Sequence, residues 1–217
     1  MRKIKTLNTL ISSDIYGITS EEHSLGRSNI EVCKQMLQAG VKIIQYREKY
    51  KSAREMYNEC IAIQRLARAY DAIFLVNDRV DLAMAVAADG VHIGQEDLPV
   101  AVVRRMIDEQ MLLGLSTNLP EQAHMAVREG GVDYIGVGPV FSTETKKDAS
   151  IPCGLEYVKY TAKNVNLPIV AIGGINAGNI AEVKKSGATC FAVISAIVGQ
   201  PDIEAAVLAL RDAITSI

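Results

Sequence analysis

Between residues 43 and 50 the chain reads IIQYREKY, an apolar run that turns cationic. Gln45, Arg47 and Lys49 stand at every second position, and in extended backbone that spacing directs three side chains to one side. A guanidinium fork beside a flexible ammonium suits a phosphate or a diphosphate. The competing reading is a solvated loop in which Glu48 pairs with the neighbouring cations. Two acidic segments follow, VNDRVD with Asn77 and Asp78, and GQEDLP with Glu96 and Asp97. Two oxygen ligands beside an anion site are how proteins hold Mg2+, which keeps several waters and shares phosphate oxygens. Asp97 alone could as well cap a helix opening at Leu98 and Pro99. Its company with Asp78 favours the metal.

Something must bring these segments together. Apolar, β-branched runs recur at 14–19, 42–46, 72–76, 90–94, 112–116, 133–140, 168–174 and 190–195. Between them lie stretches such as 52–70 and 120–130, whose apolar residues follow helical spacing. Strand then helix, eight times in 217 residues, is the arithmetic of an α/β fold, a single (β/α)8 TIM barrel. An open doubly wound sheet would close with fewer units and carry a GxGxxG turn after its first strand, which is absent. The segments AGVKII, AADGVHI, GGVDYI and SGATCF repeat a helix-ending small residue ahead of the even-numbered strands. We expect one domain over residues 1–217, with 1–13 an N-terminal extension and eight βα units from about residue 14.

In such a barrel the site is built at the C-terminal ends of the strands. A strand covered on both faces stays apolar until it reaches a rim, so the switch at Arg47 marks one. Ser116 and Thr117 end the fifth strand and could equally be capping hydroxyls. The loop GVGPVFSTETKKDA offers Thr143, Thr145 and Lys146, hydroxyls and a cation able to close over a charged ligand. Gly173 and Gly174 let backbone N–H groups approach a ligand, and Ser195 stands at the next strand tip, where many barrels bind phosphate. The rim thus predicts a cationic, metal-binding station and a separate backbone phosphate station. His23, His92 and His124 are read as structural or surface residues. No Ser-His-Asp pattern and no Schiff-base lysine within a strand is evident.

A formal charge of −2, with 49% hydrophobic and 22% charged residues, gives no basic excess for nucleic acid. Cys33, Cys60, Cys153 and Cys190 form no CxxC pair, so free thiols are expected rather than a zinc or redox motif. No segment has membrane-spanning length and the N-terminal run carries no cleavage pattern, which predicts a cytoplasmic protein. A homodimer is compatible with apolar helix faces on a barrel.

In order along the chain, QYREK, NDRVDLA, ADGVHIGQEDLP, GLST, YIGVGPVFSTETK, AIGGI and VISAI closely resemble the thiamine-phosphate synthase (thiamine-phosphate pyrophosphorylase) family, from about residue 14 to 199. The resemblance implies a transferase of thiamine biosynthesis, joining a hydroxymethylpyrimidine diphosphate to a thiazole phosphate with release of pyrophosphate. It implies that Gln45, Tyr46, Arg47, Glu48, Lys49, Asn77, Ser116 and Lys146 hold the pyrimidine diphosphate, and Asp78 and Asp97 its Mg2+. Thr143, Thr145, Gly173 or Gly174, Ile194 and Ser195 then hold the thiazole phosphate, and Arg47, Lys49, Ser116 and Lys146 carry the catalysis. Ser142 departs from a frequent Pro, Asn118 from a His after the Ser-Thr pair, and Tyr50 from a small or polar residue.

Two other readings compete. A related thiazole tautomerase shares the barrel but tends to replace the metal-binding acids and to carry a catalytic His near position 118, where this chain has Asn. A ligand sensor on a barrel that has lost its chemistry should lack some charged rim residue, and none is missing. A phosphosugar isomerase or epimerase would share the phosphate station without needing Arg47, Lys49, Asp78 and Asp97 together.

Overall fold

Eight short parallel strands close on themselves in sequence order, the first pairing with the last through Ile15 opposite Phe191 and Tyr16 opposite Ala192. They are β1 Ile15–Ile18, β2 Ile43–Tyr46, β3 Ile73–Asn77, β4 Gly90–Ile93, β5 Leu112–Thr117, β6 Tyr134–Val137, β7 Ile169–Ile172 and β8 Cys190–Val193. The structure is a computed structural model describing residues 2–143, 145 and 151–216. The helices are α1 Arg2–Ser12, α2 Asn29–Gln38, α3 Ala53–Ala69, α4 Val80–Ala85, α5 Val100–Met106, α6 Pro120–Glu129, α7 Gly154–Asn164, α8 Ile180–Lys185, α9 Ser195–Val198 and α10 Ile203–Thr215. This is the (β/α)8 TIM barrel expected from the alternation. β6 stops at Val137, short of the predicted 133–140, because Pro139 has no N–H with which to continue a ladder.

Two-residue alternation sorts each strand into an inner and an outer row. Tyr16, Ile18, Ile43, Leu75, Leu112, Tyr134, Val170 and Ala192 form the interior cluster. Ile44, Tyr46, Phe74, Val76, Leu113, Ile135 and Phe191 belong instead to the layer under the helices. The helices match that layer by their own period: α3 buries Met56, Cys60, Ile63 and Ala67. Its start is fixed by a capping box between Ser52 and Glu55, and that of α2 by one between Ser28 and Glu31. The repeated helix-ending glycine takes a positive φ at Gly40, Gly131 and Gly187, whereas in the second copy Ala87 adopts that conformation.

The N-terminal extension is a helix, α1, that closes the barrel's lower end. Its Leu10 is 1% exposed and joins the interior cluster. Arg2, Lys3 and Lys5 pair with Asp89, Asp133 and Asp71 at 2.8, 2.7 and 2.8 Å, the aspartates that lead into β4, β6 and β3. Cys33, Cys60 and Cys190 are buried and Cys153 half-buried, all four as free thiols. Burial pushes each of them up, Cys60 to about 12 and Cys153 to about 11, so none is primed as a thiolate nucleophile. Among the described residues no helix is long and apolar enough to cross a membrane.

Candidate active site

The C-terminal mouth of the barrel holds a cavity of about 650 Å3. Its floor is a chain of hydrogen bonds running from strand to strand across the interior. Gln45 Nε2 donates to the Tyr16 hydroxyl at 2.7 Å, which lies 3.0 Å from the Tyr134 hydroxyl. Tyr134 is 2.9 Å from His92 Nδ1, and His92 Nε2 is 2.9 Å from Ser116 Oγ. All five residues occupy the inner row of their strands. Room for the two rings comes from Gly114, where a Cβ would lie 2.2 Å from Tyr134 Cζ and 2.4 Å from His92 Nδ1. Burial pushes the His92 pKa down to about 4, only partly opposed by the nearby Asp78 charge. The imidazole is therefore neutral at pH 7, with one nitrogen donating and one accepting. Burial likewise raises the pKa of the Tyr16 and Tyr134 hydroxyls, which stay protonated.

Above one side of the floor stand the charges. Gln45, Arg47 and Lys49 all line the cavity, as the two-residue spacing predicts. Lys49 Nζ sits 2.6 Å from Asp78 Oδ2. Asp78 has a φ of 60°, a left-handed turn residue that Asp tolerates better than most. Its N–H donates to the His92 carbonyl at 2.8 Å, which locks the β3 tip to β4. Asp97 does not cap a helix: α5 starts at Val100 behind Pro99, and Asp97 Oδ2 accepts the Gly94 N–H at 2.6 Å. Its pKa is raised, first by burial and further by the neighbouring Asp78 carboxylate, against the Gly94 bond and Lys49. Two neighbouring carboxylates at the edge of an open cavity suit a divalent cation. Among the described residues no group of three or more His, Cys, Asp or Glu is placed to hold a metal. A pair of acids is enough for Mg2+ when phosphate and water complete its shell, so the residues present fit that ion.

On the other side the loops after β6, β7 and β8 meet. Thr143, Thr145 and Ser195 join through hydroxyl contacts, Thr143 to Thr145 and Thr145 to Ser195, each at 3.3 Å. Gly173 and Gly174 have φ of 103° and 64°. A Cβ on Gly173 would sit 2.5 Å from Pro139 Cα, and one on Gly174 would sit 2.6 Å from the Ser142 carbonyl oxygen. Conformation and packing therefore both demand glycine, and both residues line the cavity with Ile194 and Ser195. The short helix α9 begins at Ser195, in the position where barrels place the extra helix of a phosphate site.

The sequence-derived residues thus meet around one cavity: Gln45, Arg47, Lys49, Asn77, Asp78, Asp97, Ser116, Thr143, Thr145, Gly173, Gly174, Ile194 and Ser195. Tyr46 and Glu48 do not line the cavity. Alternation turns both away from the barrel interior, Tyr46 into the layer under the helices and Glu48 toward Asn29. Lys146 lies outside the described residues. Ser116 and Thr117 are not caps: Ser116 bonds His92, and buried Thr117 donates to the Gly136 carbonyl at 3.0 Å. Tyr16, His92, Tyr134, Gln95 and Asn118 also line the cavity and were not singled out for it. For Tyr16, His92 and Tyr134 the missed signal was a polar or aromatic side chain at an inner-row position of an otherwise apolar strand.

The class that emerges is a (β/α)8 barrel whose mouth gathers cations and carboxylates on one side and paired glycines with hydroxyls on the other. The chain belongs to the thiamine monophosphate synthase family, whose sequence profile matches residues 15–197. This makes it an enzyme that transfers a group. It is 55% identical over 211 residues to the thiamine-phosphate synthase of Pelotomaculum thermopropionicum, covering 97% of this chain and 96% of that one. It is 49% identical to the thiamine-phosphate synthase of Caldicellulosiruptor bescii, over 94% and 92% of the two chains. Among solved structures, the thiamine phosphate pyrophosphorylase of Pyrococcus furiosus superposes with a TM-score of 0.85 at 38% identity, covering 96% of each chain.

Proposed function

We propose that this chain is a thiamine-phosphate synthase, transferring the hydroxymethylpyrimidine group of its diphosphate ester to a thiazole phosphate. The methylene C–O bond breaks and its electron pair leaves with pyrophosphate. The thiazole nitrogen lone pair then forms the new C–N bond, giving thiamine phosphate, and no general base is required. A single observation carries the reading: Arg47, Lys49, Asp78 and Asp97 line the same cavity as Thr143, Thr145, Gly173, Gly174 and Ser195. Two phosphorylated ligands can therefore face each other across one mouth.

Because the carbon–oxygen bond loosens before the nucleophile arrives, negative charge builds on the leaving group. Arg47 and Lys49 stabilise that charge in place, the kind of electrostatic preorganisation that is worth most when little water intervenes. Asp78 and Asp97 would hold Mg2+, which when bound neutralises diphosphate charge. The floor of Gln45, Tyr16, Tyr134, His92 and Ser116, with Asn77, presents neutral donors and acceptors to an aminopyrimidine ring. A floor without net charge does not trap the cationic pyrimidine. The hydroxyls of Thr143, Thr145 and Ser195, joined to one another, would hold the thiazole phosphate.

The test is mass-spectrometric detection of thiamine phosphate after mixing purified protein with both substrates, with Mg2+ and with excess chelator. Product that depends on Mg2+ is the expected result. Folded protein that forms none under either condition overturns the proposal and turns attention to tautomerase activity and then to ligand binding alone.

A further inference from the structure

The loop that carries Arg47 and Lys49 is held from behind, by residues that do not face the cavity. Its hub is Glu59 on α3, 13% exposed, whose carboxylate receives three donors. Oε2 accepts the Tyr46 hydroxyl at 2.6 Å and Asn29 Nδ2 at 3.2 Å, and Oε1 accepts Lys51 Nζ at 2.6 Å. Each donor leads back to the loop. Tyr46 is the last residue of β2, next to Arg47, whose N–H donates to Thr19 Oγ1 at 2.8 Å. Asn29 Nδ2 also reaches Glu48 Oε2 at 3.3 Å, and Glu48 Oε1 accepts the N–H groups of Lys49 and Tyr50 at 2.8 and 3.1 Å. Lys51 closes the loop's far end and is shared with Glu21.

This cluster is poorly explained as stability alone. Asn29 is 1% exposed, and its Oδ1 is buried with no hydrogen-bond partner among the described residues. Leaving a buried carbonyl unmet is destabilising. The amide nevertheless keeps the orientation that joins Glu59 to Glu48, and groups of this kind are retained where a constraint serves function.

We propose that Glu59 is a positioning residue for the diphosphate-binding loop, fixing the 47–51 backbone so that Arg47 and Lys49 meet the leaving group without rearrangement. This rests on the synthase reading for the identity of the ligand. Glu59 touches no substrate; it acts through Asn29, Tyr46 and Lys51. A glutamine in its place keeps the shape but supplies one acceptor oxygen where three donors converge.

The test compares wild type with Glu59→Gln and Tyr46→Phe, using inorganic pyrophosphate with Mg2+ as the probe. Calorimetry reads its affinity, and hydrogen exchange reads the Lys49 and Tyr50 amides. In Glu59→Gln we expect pyrophosphate affinity and kcat/KM for the pyrimidine diphosphate to fall on the order of tenfold or more. The Lys49 and Tyr50 amides should exchange faster, with the KM for thiazole phosphate unchanged and the melting midpoint within about 3 °C of wild type. Tyr46→Phe, which removes one of the three donors, should move the same readouts less. Unchanged exchange and unchanged pyrophosphate affinity in a folded Glu59→Gln protein overturn the proposal while leaving the synthase reading intact. A wild type that makes no thiamine phosphate but shows the exchange difference loses the synthase reading and keeps the loop-positioning one.

Discussion

The Lys49 ammonium rests 2.6 Å from Asp78 Oδ2, joining the loop after β2 to the tip of β3 across the cavity mouth. Both side chains are substantially open to solvent, 47% and 27%, and an exposed pair of this sort contributes only about 0–1 kcal/mol to stability. The pair therefore stands where charge is wanted by a ligand, and its members can be altered without unfolding the barrel. For Lys49→Ala and Asp78→Asn we expect turnover to drop about a hundredfold or more, equivalent to about 3–4 kcal/mol of transition-state stabilisation. Asparagine is chosen at 78 because it tolerates a φ of 60° as aspartate does. Steady-state rates with thermal melts alongside decide it: near-normal turnover in either variant removes that residue from the assigned role.

Gly173 and Gly174 carry the other station. An alanine at either position meets backbone or Cβ atoms of the loop after β6 at under 3 Å, and at φ of 103° and 64° it is strained even before that contact. Gly173→Ala and Gly174→Ala should each destabilise by about 1–3 kcal/mol. They should also raise the KM for thiazole phosphate more than that for the pyrimidine diphosphate. Denaturant melts and paired KM measurements test this. Equal rises in the two KM values would show that the glycines shape the whole mouth rather than one station.

Much of this was legible in the residues, and the reason is periodicity. IIQYREKY announces both a strand and the point where it leaves the core, so Gln45, Arg47 and Lys49 could be placed on one side before any coordinates. The same alternation assigns Tyr46 and Glu48 to the opposite side, where the structure places them. The floor was harder to see. Tyr16, His92 and Tyr134 each sit in short apolar runs where an aromatic or a histidine reads as core, and only barrel closure brings three separate strands into one hydrogen-bonded chain. The role of α1 was hidden for a related reason. Its broken apolar run looks like a loose extension until the aspartates before β3, β4 and β6 converge beneath the barrel to receive its cations.

That lower end supplies a control for the upper one. Leu10 is 1% exposed and packs into the barrel interior, away from the C-terminal mouth. Leu10→Ala should cost about 2–5 kcal/mol, as large-to-small substitutions in a core do. The untouched mouth should keep kcat within about twofold, since the lower face of such barrels serves stability. Urea denaturation and turnover at a temperature where the variant is folded check both halves. A large loss of kcat in folded protein would mean that α1 communicates with the site.

His92 gives the stability a dependence on pH whose sign follows from its surroundings. Its folded pKa lies at about 4, below the ordinary value of 6.5, with burial the main cause. Between those two values the unfolded chain binds the extra proton, so its contribution is fully present above about pH 6.5 and is lost as the pH falls toward 4. The contribution is on the order of 3 kcal/mol. Protonation would also give the ring two donors, so that the Ser116 and Tyr134 hydroxyls would both have to accept. We expect urea melts of metal-free protein to lose stability from pH 6.5 to 4. In His92→Asn that part of the slope should vanish, because the amide does not titrate. An unaltered slope in the variant would assign the acid lability to the carboxylates at the rim instead.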